Sequence, residues 1–253
     1  MTIIRSIIMA FSCFSAVPMP QVTWSTHNMR YMMAAFPLVG ALIGMLLIAW
    51  GHTSAALGLG PLPLGAGLTL LPIVVSGGIH MDGFADVMDA QSSHADPARR
   101  CEILHDPHVG AFAIIGVCCY LIAYLALASE VSTQQLVALA CVPVICRCLS
   151  GYATVTFKAA RKDGMYASEG ATDRANGVRI VLALLGAAAF MLMASQGLAV
   201  ALTAIASAVA ALVATKRLAD SSYGGMNGDL AGFYLQVAEL AMLTCIVIVG
   251  RLV

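Results

Sequence analysis

Between Gly77 and Ala90 the chain reads GGIHMDGFADVMDA, three aspartates and a histidine within ten residues. On a helix advancing 100° per residue, Asp82, Asp86 and Asp89 stand at i, i+4 and i+7, within about 60° of one another. Three carboxylates on one stripe repel, each i,i+4 pair costing about a few tenths of a kcal/mol at a surface and more near lipid. A hard divalent cation removes that conflict. Mg²⁺ takes carboxylate oxygens, keeps several waters and bridges to substrate phosphates, so the stripe is a candidate metal site. Gly77 and Gly78 interrupt the preceding apolar run, and the helix is expected over Gly83 to Ser93, with Gly83 allowing close approach to its backbone. His80 stands beside the stripe, although a lone histidine is more often a hydrogen-bonded packing residue than a ligand.

Three further polar islands follow, with two charged residues inside apolar runs. Asp96-Pro97 is an N-cap followed by proline at the first helical position. It opens a helix reading PARRCEILHD, which suits either Arg99 clamping a phosphate and Asp106 adding a fourth carboxylate, or a surface helix with ordinary salt bridges. Gly110 then leads into apolar sequence. FKAARKDGMYASEGATDR, residues 157–174, gathers Lys158, Arg161, Lys162, Asp163 and Gly164, a composition suited to a polyanion but also to topological charge bias alone. Arg147 lies deep in an apolar run, where an unpaired charge is costly, so it is expected to face the carboxylates or a phosphate. YGGMNGDLAGF places Gly224, Gly225, Gly228 and Asp229 at a helix start, suited to cradling phosphate or adding a metal ligand. Glu239, inside the last apolar run, needs an interior arginine or a polar network.

These islands must be positioned by membrane helices. The chain is 60% hydrophobic and 10% charged, far from the roughly 25% charged of soluble domains. Seven runs approach the ~20 residues that cross a bilayer: 33–50, 60–78, 110–129, 136–157, 179–196, 198–215 and 231–250. Ile7 to Phe14 is too short and reads as an interfacial or re-entrant helix; no cleaved leader is evident. The eight cysteines lack metal or disulfide spacing and behave as small apolar residues. The expected architecture is an all-α polytopic membrane bundle forming one catalytic domain, 1–253. Alternating the connections puts every basic residue outside the apolar runs on one side, except Arg251, and that side is expected to be cytoplasmic. All of the thirteen acidic residues except Glu130 and Glu239 fall there too. A carrier or channel elaborates both faces or its interior, so this asymmetry favours an enzyme at one face. The net charge is zero and says nothing about partners; nucleic acid is not among those expected.

The ordered succession PLVGALIG, GGIHMDGFADVMDA, EILHDPHVGAF, ARKDGM and GGMNGDLAG resembles the adenosylcobinamide-GDP ribazoletransferases, the cobalamin synthases, across nearly the whole chain. That resemblance implies a multi-pass enzyme of the bacterial inner membrane with its active site on the cytoplasmic face. It implies that adenosylcobinamide-GDP is joined to alpha-ribazole, or its 5'-phosphate, with release of GMP and a need for Mg²⁺. The family motif falls on His80, Asp82, Gly83, Asp86 and Asp89, on Arg99, Asp106 and Gly110, on Arg147, Arg161 and Gly164, and on Gly224, Gly225, Gly228 and Asp229. It implies metal ligation by Asp82, Asp86, Asp89 and Asp106. Diphosphate binding falls to Arg99, Arg147 and Arg161, and proton acceptance to Asp229 or His80. The chain departs from the family at Ala16 and Ser221, where basic residues are usual, and at Asn227, where threonine is typical. A homo-oligomer and contact with membrane lipid are compatible with this reading. Two alternatives stand beside it. A CDP-alcohol phosphotransferase would need an Ala-Arg pair after Asp82-Gly83 that is absent, and a divalent-cation transporter would carry its aspartates near mid-membrane.

Overall fold

The computed structural model describes residues 2–23, 25, 31–160 and 175–252. Ten α-helices run through these residues. They are α1 (Thr2–Phe14), α2 (Met32–Ala56), α3 (Pro61–Ser76), α4 (Ile79–Ser92), α5 (Pro97–Ile103), α6 (Ala111–Ala128), α7 (Leu136–Thr154), α8 (Ala175–Ala194), α9 (Leu198–Leu218) and α10 (Gly228–Val249). The only β-type pairing among the described residues is an isolated bridge between Ala159 and Met226.

Six helices are long and apolar enough to cross a bilayer: α2, α6, α7 with its leading turn, α8, α9 with its trailing turn, and α10. The seventh expected span is resolved differently. Pro61 starts α3 and Gly77 ends it, leaving 16 residues, about 24 Å at 1.5 Å per residue against a core of ~30 Å. Gly77 and Gly78 both take left-handed φ, +65° and +79°, and the Gly78 N–H returns to the Ile73 carbonyl at 2.9 Å. An L side chain resists two such residues in succession. The chain therefore turns 96° into α4. Counting the bent pair once restores seven. Because the turn is completed at Gly78, α4 begins at Ile79 and not at Gly83 as expected, so His80 and Asp82 stand on the helix itself.

Helix contacts follow the membrane rule that small residues let backbones approach where hydrophobicity gives no drive. In PLVGALIG, a Cβ on Gly40 would lie 2.5 Å from the Pro143 carbonyl oxygen, and one on Gly44 2.4 Å from that of Ala140, so α2 lies directly against α7. The charges that broke the sidedness pattern find each other. Glu130 and Arg251 form an ion pair, which places the α6 end and the α10 end at one end of the bundle. Glu239 of α10 pairs with Arg147 of α7 at 2.8 Å, the two side chains 3% and 1% exposed. Arg147 also donates to the Pro143 carbonyl at 3.1 Å and lies 5.6 Å from the centre of the Phe36 ring.

Arg147→Met alone leaves Glu239 charged and buried without a partner, and is expected to cost about 3–5 kcal/mol. The double variant Arg147→Met, Glu239→Leu is expected to recover most of that loss. Thermal unfolding in detergent checks both, and additive losses in the double variant contradict the pairing.

Candidate active site

Helix α4 carries the acidic stripe, and it is held against α10 by two glycines. A Cβ on Gly83 would lie 2.8 Å from the Asp229 Cα and carbonyl oxygen. One on Gly232 would lie 2.8 Å from the His80 carbonyl oxygen and 3.4 Å from the Gly83 Cα. With no side chain at either position the backbones touch, so Asp229, in the first turn of α10, joins the α4 carboxylates. Phe84 stacks on Phe233 beside this crossing, with ring centres 5.7 Å apart. On the other flank the Asp89 carboxylate fills the space where a Cβ on Gly110 would sit, at the start of α6.

The electrostatics report the same assembly. Partial burial and the charges of Asp82, Asp229 and Asp89 push the Asp86 carboxyl up to about 6, with His105 opposing. Asp82, Asp86 and Asp89 form no ion pair among the described residues. Nor, among those residues, are three His, Cys, Asp or Glu side chains gathered on a single ion position. The donor chemistry nevertheless suits Mg²⁺, which is commonly held by one or two carboxylates with substrate phosphate and water completing its shell.

The start of α10 is fixed from two sides. Asn227 caps it, its side-chain oxygen accepting from Leu230 N–H at 2.9 Å. Threonine and asparagine both cap helices, which gives the Asn227 departure a physical account. Upstream, Gly225 has φ +152°, and a Cβ there would lie 2.5 Å from the Lys158 carbonyl oxygen. Met226 N–H donates to Lys158 O at 2.8 Å and Ala160 N–H to Met226 O at 2.9 Å. The glycine-rich turn is thus pinned to the segment from which the basic loop departs. Arg161 and Gly164 lie in that loop, outside the described residues, as do Lys162 and Asp163.

His80 is 6% exposed, its ring 5.8 Å from Phe36 and 6.5 Å from Phe14, and its Nε2 has no hydrogen-bond partner. Burial first, and then the charge of Arg147, hold the imidazole well below its ordinary pKa, so the ring is neutral near pH 7. It lines a cavity of about 160 Å³ together with Asp82, Asp229, Phe14, Phe36 and Ser150.

Other expected residues lie elsewhere. Arg99 is exposed and bound to Glu102 at 2.6 Å. Asp106 accepts from the His108 N–H at 2.9 Å and pairs with its ring at 2.7 Å, bonds that hold this carboxyl below its usual range. It is not among the charges acting on Asp86. Arg147, committed to Glu239, stands behind the Phe36 ring rather than among the carboxylates.

Sequence reasoning passed over Arg100. Its Nη1 donates to Gln91 Oε1 at 3.3 Å and Ser222 Oγ at 3.2 Å, while Gln91 donates to the Tyr223 hydroxyl at 2.8 Å. This network docks α5 onto the π-wound turn Ala219–Tyr223 that precedes the glycine loop. The signal was helix phase: Cys101 and Leu104 mark the inward face of α5, and Arg100 shares it where Arg99 does not.

Comparison with known proteins covers nearly the whole chain. A family model described as cobalamin-5-phosphate synthase matches residues 6–247. The adenosylcobinamide-GDP ribazoletransferase of Lachnoclostridium phytofermentans is 38% identical over 239 residues, 94% of this chain and 91% of that protein. Proteins of the same name from Geobacillus kaustophilus and Clostridium botulinum are 34% and 28% identical. Each match spans 93% of this chain, and 92% and 94% of the respective relative. No solved structure matches.

Proposed function

Because this chain belongs to the cobalamin-5-phosphate synthase family, we propose that it is an adenosylcobinamide-GDP ribazoletransferase, with its site at the cytoplasmic face of the bacterial inner membrane. The observation that carries the reading is the α4–α10 crossing, where Asp82, Asp86 and Asp89 meet Asp229 through Gly83 and Gly232. A ribose hydroxyl that is free in both alpha-ribazole and its 5'-phosphate attacks the phosphorus nearest cobinamide. The phosphorus–oxygen bond to GMP breaks, and GMP leaves with the electron pair. Asp229 accepts the hydroxyl proton, since it lines the cavity with Asp82 and stands beside the stripe. Neutral His80 orients the nucleophile. One or two of Asp82, Asp86 and Asp89 would hold Mg²⁺, which when bound supplies positive charge to the phosphoryl oxygens. Lys158, whose carbonyl accepts from Met226 N–H just before the α10 start, takes the departing nucleotide.

The test is direct. Purified protein with adenosylcobinamide-GDP, alpha-ribazole and Mg²⁺ is expected to yield GMP and a cobamide in equal amounts. Formation of neither by folded protein refutes the assignment.

The raised Asp86 carboxyl adds a pH prediction. Below about 6 Asp86 binds a proton that the cation must displace. The half-saturating Mg²⁺ concentration is therefore expected to be flat above pH 7 and to rise toward about tenfold per pH unit below 6. A raised carboxyl also destabilises the cation-free fold as pH climbs through 6, because the unfolded chain has already released that proton. Initial rates across Mg²⁺ concentrations at pH 5.5 to 7.5 check the first effect; a pH-independent requirement contradicts it.

A further inference from the structure

The cavity beside Asp82 has a character that diphosphate chemistry alone does not require. At about 160 Å³ it is comparable to the ~150 Å³ engineered cavity that admits benzene, so it receives an aromatic ring and excludes a corrin macrocycle. Phe14 and Phe36, with ring centres 4.3 Å apart, form its wall with Met33 and Leu235. Into this apolar space His80 brings a buried Nε2 without a partner. Asp82 lines this cavity and also an open groove of about 610 Å³ bounded by Ile73, Met81 and Val117 of α3, α4 and α6. One carboxylate therefore stands where a small enclosed space and a large open one meet.

We propose that the enclosed cavity is the subsite for the benzimidazole base of alpha-ribazole, and that the open groove at Asp82 receives the larger substrate. The inference rests on the ribazoletransferase reading and adds where each substrate sits. A benzimidazole riboside offers a flat apolar body and one free ring nitrogen, an acceptor, which matches two aromatic rings and one unpartnered imidazole nitrogen. Guanine, the base of the leaving nucleotide, presents several donors and acceptors. Its N–H groups would find Asp82 and Asp229, which also line the cavity, but its carbonyl and ring-nitrogen acceptors would face walls of Phe, Met and Leu, and Thr154, the nearby hydroxyl, is already donated to the Ser150 carbonyl at 2.9 Å.

Equilibrium binding of labelled alpha-ribazole to the solubilised full chain, without second substrate or metal, tests the assignment. Free 5,6-dimethylbenzimidazole is expected to displace the label and GMP to leave it bound; displacement by GMP alone, or no saturable binding, overturns the subsite. The riboside of 5,6-dimethylindole, with CH in place of the free nitrogen, is expected to bind about tenfold more weakly, and equal binding overturns the His80 contact. Ser150→Leu fills the cavity. It is expected to raise KM for alpha-ribazole by about tenfold or more and to leave KM for adenosylcobinamide-GDP within about twofold. A rise confined to adenosylcobinamide-GDP, or equal for both, overturns the division. Should Ser150→Leu not fold, the competition on the unaltered protein decides alone. Absent turnover by the unaltered protein defeats the ribazoletransferase reading, whereas turnover with GMP-sensitive ribazole binding defeats only the subsite.

Discussion

Asp82→Asn and Asp86→Asn are each expected to lower kcat by about 10²- to 10³-fold while leaving the protein folded. The amide keeps the shape of the side chain and removes the charge that attracts a cation. For Asp86 the substitution has a second, opposite consequence. Its carboxyl is pushed up to about 6 by burial and by Asp82, Asp229 and Asp89, so in the cation-free protein it is a source of repulsion. Asp86→Asn is therefore expected to melt at a higher temperature than the unaltered protein at pH 7.5 without Mg²⁺, and to lose most of the stabilisation that Mg²⁺ confers. Lower activity with higher stability separates loss of a metal ligand from a folding defect. GMP release at saturating substrates and thermal unfolding with and without Mg²⁺ supply the two readouts. Near-normal turnover of either variant at saturating Mg²⁺ refutes the metal assignment. Asp106→Asn serves as the comparison, because Asp106 bonds to His108 and not to the stripe.

Gly232→Leu is expected to remove activity by about 10²-fold or more, because a misplacement of about 1 Å at a reacting centre has an effect of that size. A Cβ at this position meets the His80 carbonyl oxygen at 2.8 Å and the His80 Cα at 3.2 Å. Both are backbone atoms of a helix, so no rotamer change relieves the contact and α4 must move away from α10. That movement separates Asp229 from the stripe and shifts His80. Gly83→Ala works from the other side, against the Asp229 backbone at 2.8 Å. The control is Gly177→Ala in α8, where a Cβ meets nothing within 4 Å, and activity there is expected to be unchanged. If Gly232→Leu retains normal kcat, the crossing does not assemble the site.

Much of this was readable from order and spacing alone. An i, i+4, i+7 register is a property of any helix, so the acidic stripe follows once a helix forms. Apolar runs and the one-sided distribution of charge follow from the free energy of placing charge in lipid, which is local to each segment. Glu239 needed an interior arginine on that ground, and Arg147 meets the need. The same reasoning expected Arg147 to face the carboxylates or a phosphate, and the structure pairs it with Glu239, because the cost of burial demands a partner without saying which one. Helix phase in α5 separated Arg100 from Arg99 only through the apolar residues beside them.

The sequence by itself determined the membrane class, the family and the acidic stripe, since each rests on local periodicity, composition or contiguous motif. Tertiary structure alone decided that Asp229, far from Asp82 in the chain, stands next to it, and that two glycines on different helices are the reason. It decided as well that the α3–α4 pair turns 96° instead of running straight, and that Phe14, Phe36 and His80 enclose one cavity. These are distances between segments, set by where backbones touch when side chains are missing. Contact of that kind leaves only scattered glycines in the sequence, and which glycine meets which backbone is fixed when the helices pack.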